Sequence, residues 1–150
     1  MAMSQHSYSI WIAAPPTEVW NVYTDLNRLP DWQTGNPKVV DATGPGDREG
    51  AKYTVKRGPA SARTEVITAD SAAMHVTRTE AYFGLRFELT THFVPKSGGT
   101  ELQLHLKTHW PGGLGLLGKA VEFVIFNSRE GDLELRRLKT LVEEEAERQL

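Results

Sequence analysis

Two hydrophobic periods divide the chain. Tyr8–Ala13 is short and β-prone and is stopped by Pro15-Pro16. A proline at the head of the next segment suits a helix start, where its missing N–H is not needed. Thr17 to Asp25 then reads as a helix with Val19, Trp20 and Tyr23 on one side. Leu26–Trp32 reads as a second short helix, closed by the turn residues Gly35-Asn36-Pro37. Beyond it the period drops to two, and strands are predicted at Val39–Thr43, Ala51–Arg57, Ala62–Ala69, Met74–Tyr82, Leu85–Val94 and Glu101–Trp110. Gly44-Pro45-Gly46-Asp47, Gly58-Pro59, Asp70-Ser71, Phe83-Gly84 and Ser97-Gly98-Gly99 supply the turns between them. A helical stretch from Leu114 to Arg148 closes the sequence. No repeat, linker or composition break interrupts it, so residues 1–150 are expected to form one domain.

Two hairpins can be written out residue by residue. A Gly98-Gly99 turn of the primed type, which needs positive φ, sets Ser97 opposite Thr100. Phe93 then faces Leu104, Thr91 faces Leu106, Leu89 faces Thr108 and Phe87 faces Trp110, all on one side. Lys96, Val94, His92, Thr90 and Glu88 share the other side with Glu101, Gln103, His105, Lys107 and His109. One register separates apolar from polar, as in an antiparallel sheet with one buried and one wet face. A Phe83-Gly84 turn with Tyr82 opposite Leu85 places Glu80 against Phe87, Arg78 against Leu89 and Val76 against Thr91. That register puts Met74 and Val76 on the buried side together with two charges, Arg78 and Glu80. Burying a charge without a partner is costly, so Arg78 and Glu80 either pair or border water. They are therefore candidate polar handles in a cavity and weak catalytic candidates, Glu80 as a tuned carboxylate. A bulge or a shifted turn would instead put both outside.

In the final helix Leu117, Val121, Val124, Asn127 or Ser128, Gly131, Leu135, Leu138 and Val142 recur every three or four residues. Its first half is apolar nearly all round, and its second half carries Arg136-Arg137, Lys139 and Glu143–Glu145 away from that stripe. Laid across a curved sheet, the amphipathic half meets the strands. The more apolar half faces whatever space the sheet encloses, or a partner chain.

Composition narrows the function classes. With 150 residues, roughly 68–70% of the unfolded surface can be buried, enough for a core without metal or disulfide staples. A net charge of −2 argues against nucleic acid, which calls for a concentrated positive surface. The absence of cysteine excludes disulfides, thiolate metal sites and a cysteine nucleophile. Met1–Ser9 lacks a basic start followed by an apolar run, and no apolar stretch approaches membrane-span length. A cytoplasmic protein without signal peptide or membrane span is expected. Gly113 to Lys119 matches the start of a phosphate-binding loop, but Ala120 stands where magnesium binding needs Ser or Thr. His105 and His109 lie four apart on a strand, too far to share a metal, while His92 and His105 are cross-strand neighbours in the register above. No metal and no cofactor are expected. No glycine-framed serine elbow is present. Trp11 points away from Ile10 and Ile12, either as a contact in a possible homodimer or covered by the chain's own N-terminus.

The order of elements and a set of short words resemble a known superfamily. The words are Ile12-Ala13-Ala14-Pro15-Pro16-Thr17-Glu18-Val19-Trp20, Tyr23-Thr24-Asp25 through Leu29-Pro30-Asp31-Trp32, Gly50-Ala51-Lys52-Tyr53, Gly99-Thr100-Glu101-Leu102 and Leu138-Lys139-Thr140-Leu141-Val142-Glu143. They resemble the START-like or SRPBCC superfamily, which includes polyketide cyclases, aromatases and the major birch-pollen allergen, and in particular its bacterial polyketide cyclase/dehydrase-like group. The resemblance implies an α+β helix-grip fold, in which a seven-stranded curved antiparallel sheet wraps a long C-terminal helix and two short helices follow strand one. It also implies a cavity between sheet and helix that holds an apolar or amphipathic small molecule. On that implication the walls are Tyr53, Val55, Phe87, Leu89, Leu106, Trp110, Leu117, Val121 and Val124. The polar contacts are Arg78, Glu80, Thr91, Thr108 and Asn127, with Trp32 near the entrance. Binding a lipid-, polyketide- or aromatic-like molecule is the expected function. A cyclase, aromatase or dehydratase using the polar residues is the alternative, and a non-enzymatic subunit without a ligand the second. The family carries no single catalytic motif to transfer, and fold alone does not settle function.

Overall fold

The computed structural model describes residues 2–81, 84–110 and 128–149. Strand β1 (Ala2–Ile12) leads into α1 (Pro16–Tyr23), a 3-10 turn (Leu26–Arg28) and the short helix α2 (Leu29–Trp32). Six strands follow: β2 (Lys38–Val40), β3 (Lys52–Arg57), β4 (Ala60–Asp70), β5 (Met74–Glu80), β6 (Arg86–Lys96) and β7 (Gly99–Trp110). The last element is α3 (Ser128–Arg148). The strands form one sheet in the order β1-β7-β6-β5-β4-β3-β2, every neighbouring pair antiparallel. This is the helix-grip layout. No helix among the described residues is long and apolar enough to cross a membrane.

β1 and β2 sit at opposite edges, so the link from residue 13 to 37 must cross the sheet. It does so as helix. Pro16 occupies the first turn of α1 behind an extended Pro15, and the Asp25 carboxylate accepts from the Asn27 N–H (3.0 Å) to start the 3-10 turn. α3 packs on β1, α1 and α2. Ile12, Val19, Trp20, Val22, Phe93, Leu102, Leu135, Leu138 and Val142 are all buried in that contact. The Glu143 carboxylate accepts from the Ala13 N–H (2.9 Å) and from Lys139 (2.7 Å), which fixes the helix to the end of β1.

Register is where the structure departs from expectation. The β6–β7 turn is Ser97-Gly98, both at positive φ (52° and 77°), and not Gly98-Gly99. Gly99 is a glycine for another reason, because a Cβ there would lie 2.4 Å from the Ile12 carbonyl oxygen. The turn's position pairs Phe93 with Leu102 and Leu89 with Leu106. This is a two-residue shift, and it leaves every side chain on its expected face. In the β5–β6 hairpin Glu80 pairs with Arg86, where Phe87 was expected, and Ala81 donates to the Leu85 carbonyl (2.8 Å). That is a shift of one residue, and it turns β5 over. His75, Thr77 and Thr79 face the concave side, while Met74, Val76, Arg78 and Glu80 face out. Of the expected Phe83-Gly84 turn, Phe83 lies outside the described residues, as does Tyr82, expected opposite Leu85. A bulge between Val66 and Thr68 in β4 adds local twist next to the same strand.

Replacing Gly99 with Ala forces either the end of β1 or the hairpin to move, at about 1–3 kcal/mol. The expected outcome is a thermal midpoint lower by several degrees for Gly99→Ala, measured by circular dichroism, with no such loss for Gly98→Asn at the exposed turn.

Candidate functional site: an amphipathic cavity

Strand pairing lays the concave face out in rows. One row runs Tyr53, Thr64, Thr79, Phe87 and Thr108. The next runs Val66, Thr77, Leu89 and Leu106, and a third His75, Thr91, Leu104 and Tyr8. The packed core fills the end of the sheet near Phe93 and Leu102. Over the rows above, the sheet and the helices enclose a cavity of about 570 Å³. That volume is in the range of small-molecule sites.

The lining is two-sided. β4 and β5 contribute Thr64, Thr77, Thr79 and His75, and the hydroxyls of Thr64 and Thr79 bond to each other (2.9 Å). β6 and β7 contribute Phe87, Leu89, Leu104 and Leu106, and β3 and β4 add Val55 and Ala62. The floor is aromatic. Tyr23 stacks on Trp32 (5.6 Å between ring centroids) and meets His75 edge-on (5.7 Å). The buried Tyr23 hydroxyl and Thr91 Oγ1 are 2.7 Å apart. Trp32 Nε1 is buried and has no hydrogen-bond partner among the described residues.

The rim is polar and carries both signs of charge. Arg57 Nη2 donates to Gln33 Oε1 (2.5 Å) and Arg57 Nε to the Thr34 carbonyl (3.3 Å). From α3, Glu134 Oε1 accepts from the Thr34 hydroxyl (2.8 Å) and the Thr34 N–H (3.3 Å). Residues 33–35 thus tie to the sheet on one side and to the helix on the other. Gly131, at the start of the same helix, leaves room for the Tyr8 ring, which a Cβ would approach to 2.7 Å.

Burial sets the protonation states inside. The Tyr53 hydroxyl is pushed up to about 12 by loss of solvent, against the opposing pull of Arg57. Tyr23 is raised for the same first reason, and Tyr8 is raised by burial and by the carboxylates of Asp132 and Glu134. All three phenols stay protonated at neutral pH. His75 is pulled below its usual value by burial, which outweighs the Gly46 carbonyl and Asp47. The neutral imidazole donates from Nε2 to the Gly46 carbonyl (2.7 Å).

Of the residues expected here, Trp32, Tyr53, Val55, Phe87, Leu89 and Leu106 line the cavity. Thr91 and Thr108 are fully buried in the sheet face beside it. Arg78 and Glu80 do not enter it, because the one-residue register shift carries both to the outer face. There Arg78 meets Glu88 and Glu80 meets Arg86, each at 3.6 Å, and both side chains are more than half exposed. Exposed pairs of this kind contribute about 0.2–1 kcal/mol. Trp110 ends β7, but its side chain lies outside the described residues, as do Leu117, Val121, Val124 and Asn127. His92 and His105 are not cross-strand partners, since His92 pairs with Gln103 and His105 with Thr90. His105 bonds instead to Ser7 Oγ (2.7 Å). No group of three potential metal ligands occurs among the described residues. Trp11 is 40% exposed on the outer face, donates from Nε1 to the Lys96 carbonyl (2.8 Å) and has the Lys139 ammonium 5.2 Å from its ring.

His75, Arg57, Gln33, Thr34 and Glu134 were not foreseen. Arg57 was within reach of strand alternation, which sets it on the same face as Tyr53 and Val55. Glu134 and Thr34 meet only through the tertiary crossing of α3 over the 33–35 segment.

Because burial lowers the His75 pKa, the unfolded chain takes up a proton there before the folded chain does. This contribution to stability is intact above the unfolded value, about 6.5. It is lost as pH falls from there through the folded value. Melts at pH 7.5 and 5.5 should therefore differ less in His75→Gln than in the parent. Tyr23→Phe leaves the Thr91 hydroxyl buried and unpaired, at about 1–3 kcal/mol. Adding Thr91→Val should recover part of that loss in urea unfolding.

A model of the polyketide cyclase/dehydrase and lipid transport family matches residues 3–143. No curated protein matches the chain. Among solved structures, a point mutant of norcoclaurine synthase from Thalictrum flavum, in complex with a transition-state analogue, superposes with a TM-score of 0.75 at 17% identity, covering 97% of each chain. A protein from Mesorhizobium loti gives a TM-score of 0.71 at 14% identity, over 94% of this chain and 98% of that one. A protein from Rhodobacter sphaeroides gives 0.68 at 18% identity, over 93% and 91%. At these identities the likeness is one of fold.

Proposed function

The chain belongs to the polyketide cyclase/dehydrase and lipid transport family, and from that premise we propose that it binds an amphipathic small molecule in the cavity between sheet and helices. The observation that carries this reading is the two-sided lining of a void of about 570 Å³. A site serving only as packing slack would have no use for threonine hydroxyls and an imidazole on one wall facing leucines on the other. Ligand sites are mostly apolar, with a few convergent polar groups that fix orientation, and this lining has that form. The molecule lies with its apolar edge on Leu89, Leu104 and Leu106 and its hydrogen-bonding edge on Thr64, Thr77 and Thr79. The reading takes residues 1–150 as one cytoplasmic domain.

Binding is favoured over turnover. The two charged groups that a cyclase reading relied on, Arg78 and Glu80, are on the outer face, and the phenols inside are held protonated.

Native mass spectrometry of freshly purified protein tests the reading directly, by the added mass of a co-purifying molecule. Leu89→Trp fills the cavity from its apolar wall, and the expected outcome is loss of that adduct. Lys107→Ala, on the opposite face of the sheet, should leave it in place. Equal effects of the two substitutions would contradict the cavity as the binding site.

A further inference from the structure

Resting on the reading of the cavity as a ligand site, we infer that the bound molecule is an acid whose carboxylate is received by Arg57 at the rim. Tyr53, Val55 and Arg57 alternate onto the concave face of β3, so the strand itself brings Arg57 to the cavity lining. Arg57 is the one Arg or Lys among the described lining residues.

Its position is built. The stem runs against Gly35, where a Cβ would come within 3.1 Å of Arg57 Cδ and where φ is +80°. A glycine there satisfies both the backbone and the close approach. Nε and Nη2 are anchored on the Thr34 carbonyl and Gln33 Oε1, both neutral acceptors. Among the described residues no carboxylate pairs with Arg57, whose charge is oriented by these two acceptors. Two of the five N–H donors are used, and the planar fork suits a carboxylate.

The opposite charge at the rim is differently placed. Glu134 is committed to the Thr34 hydroxyl and N–H, which leaves it a strap between α3 and the loop. It is still a like charge to an incoming acid and weakens its binding. An apolar body on Leu89 and Leu106, with its anionic end at Arg57, completes the fit.

The probes are 2-naphthoate, its neutral methyl ester and 2-naphthylmethylamine, measured by equilibrium dialysis at neutral pH. The acid is expected to bind at least tenfold more tightly than the ester or the amine. Arg57→Gln should lower affinity for the acid tenfold or more and leave the ester within twofold. Arg57→Lys should restore part of the preference, and Glu134→Gln should tighten the acid several-fold. A parent protein that binds ester or amine as tightly as acid overturns the head-group inference while the cavity reading stands. So does Arg57→Gln weakening all three probes alike, since Arg57 would then only hold the 33–35 segment. If none of the three probes binds at millimolar concentration, both readings fall.

Discussion

In an antiparallel sheet each side chain has two places to go, and the pairing register alone decides between them. The polar wall of the cavity depends on that choice along β5. With Glu80 opposite Arg86, His75, Thr77 and Thr79 look inward and give the cavity a hydroxyl-bearing wall. One residue of slip would replace them with Met74, Val76, Arg78 and Glu80. The β4 bulge, the Ala81–Leu85 hydrogen bond and the paired hydroxyls of Thr64 and Thr79 all lie next to this strand and oppose such a slip.

The same sheet serves two purposes along its length. Near Phe93 and Leu102 it is packed solid against α1 and α3, with Ile12, Val19, Leu138 and Val142 almost completely buried. That end carries the stability of the fold. Farther along, the rows from His75 to Tyr53 are left unfilled by the described helices, and the link across the sheet closes over them through Tyr23, Trp32 and the 33–35 segment.

Much of this was legible in the residues. Proline at the start of α1, period two from β3 to β7 and the words shared with the START-like superfamily led to the element order and the grip. The faces of β6 and β7 followed as well, because the error there was even: moving the turn from Gly98-Gly99 to Ser97-Gly98 shifts partners by two and leaves sides unchanged. β5 did not follow. Its length before Gly84 admits two turns differing by one residue, and nothing local in Met74–Glu80 prefers one, since alternation of Thr, Arg and Glu reads equally well either way. The preference comes from outside the strand, from the Thr64 hydroxyl that receives Thr79 and from the cost of carrying Arg78 and Glu80 out of water. Glu134 and Thr34 illustrate the other limit, being a hundred residues apart and joined only by the crossing of a helix over a loop.

Tyr23 and Trp32 belong at once to the packed core and to the cavity floor, where His75 meets Tyr23 and Trp20 edge-on. Thr77 and Leu89, on the walls, line the cavity and are not part of that core. The two sets therefore answer to different constraints. A substitution on the walls reshapes the lining and leaves the packing beneath it largely untouched. A substitution in the floor loosens the scaffold as well.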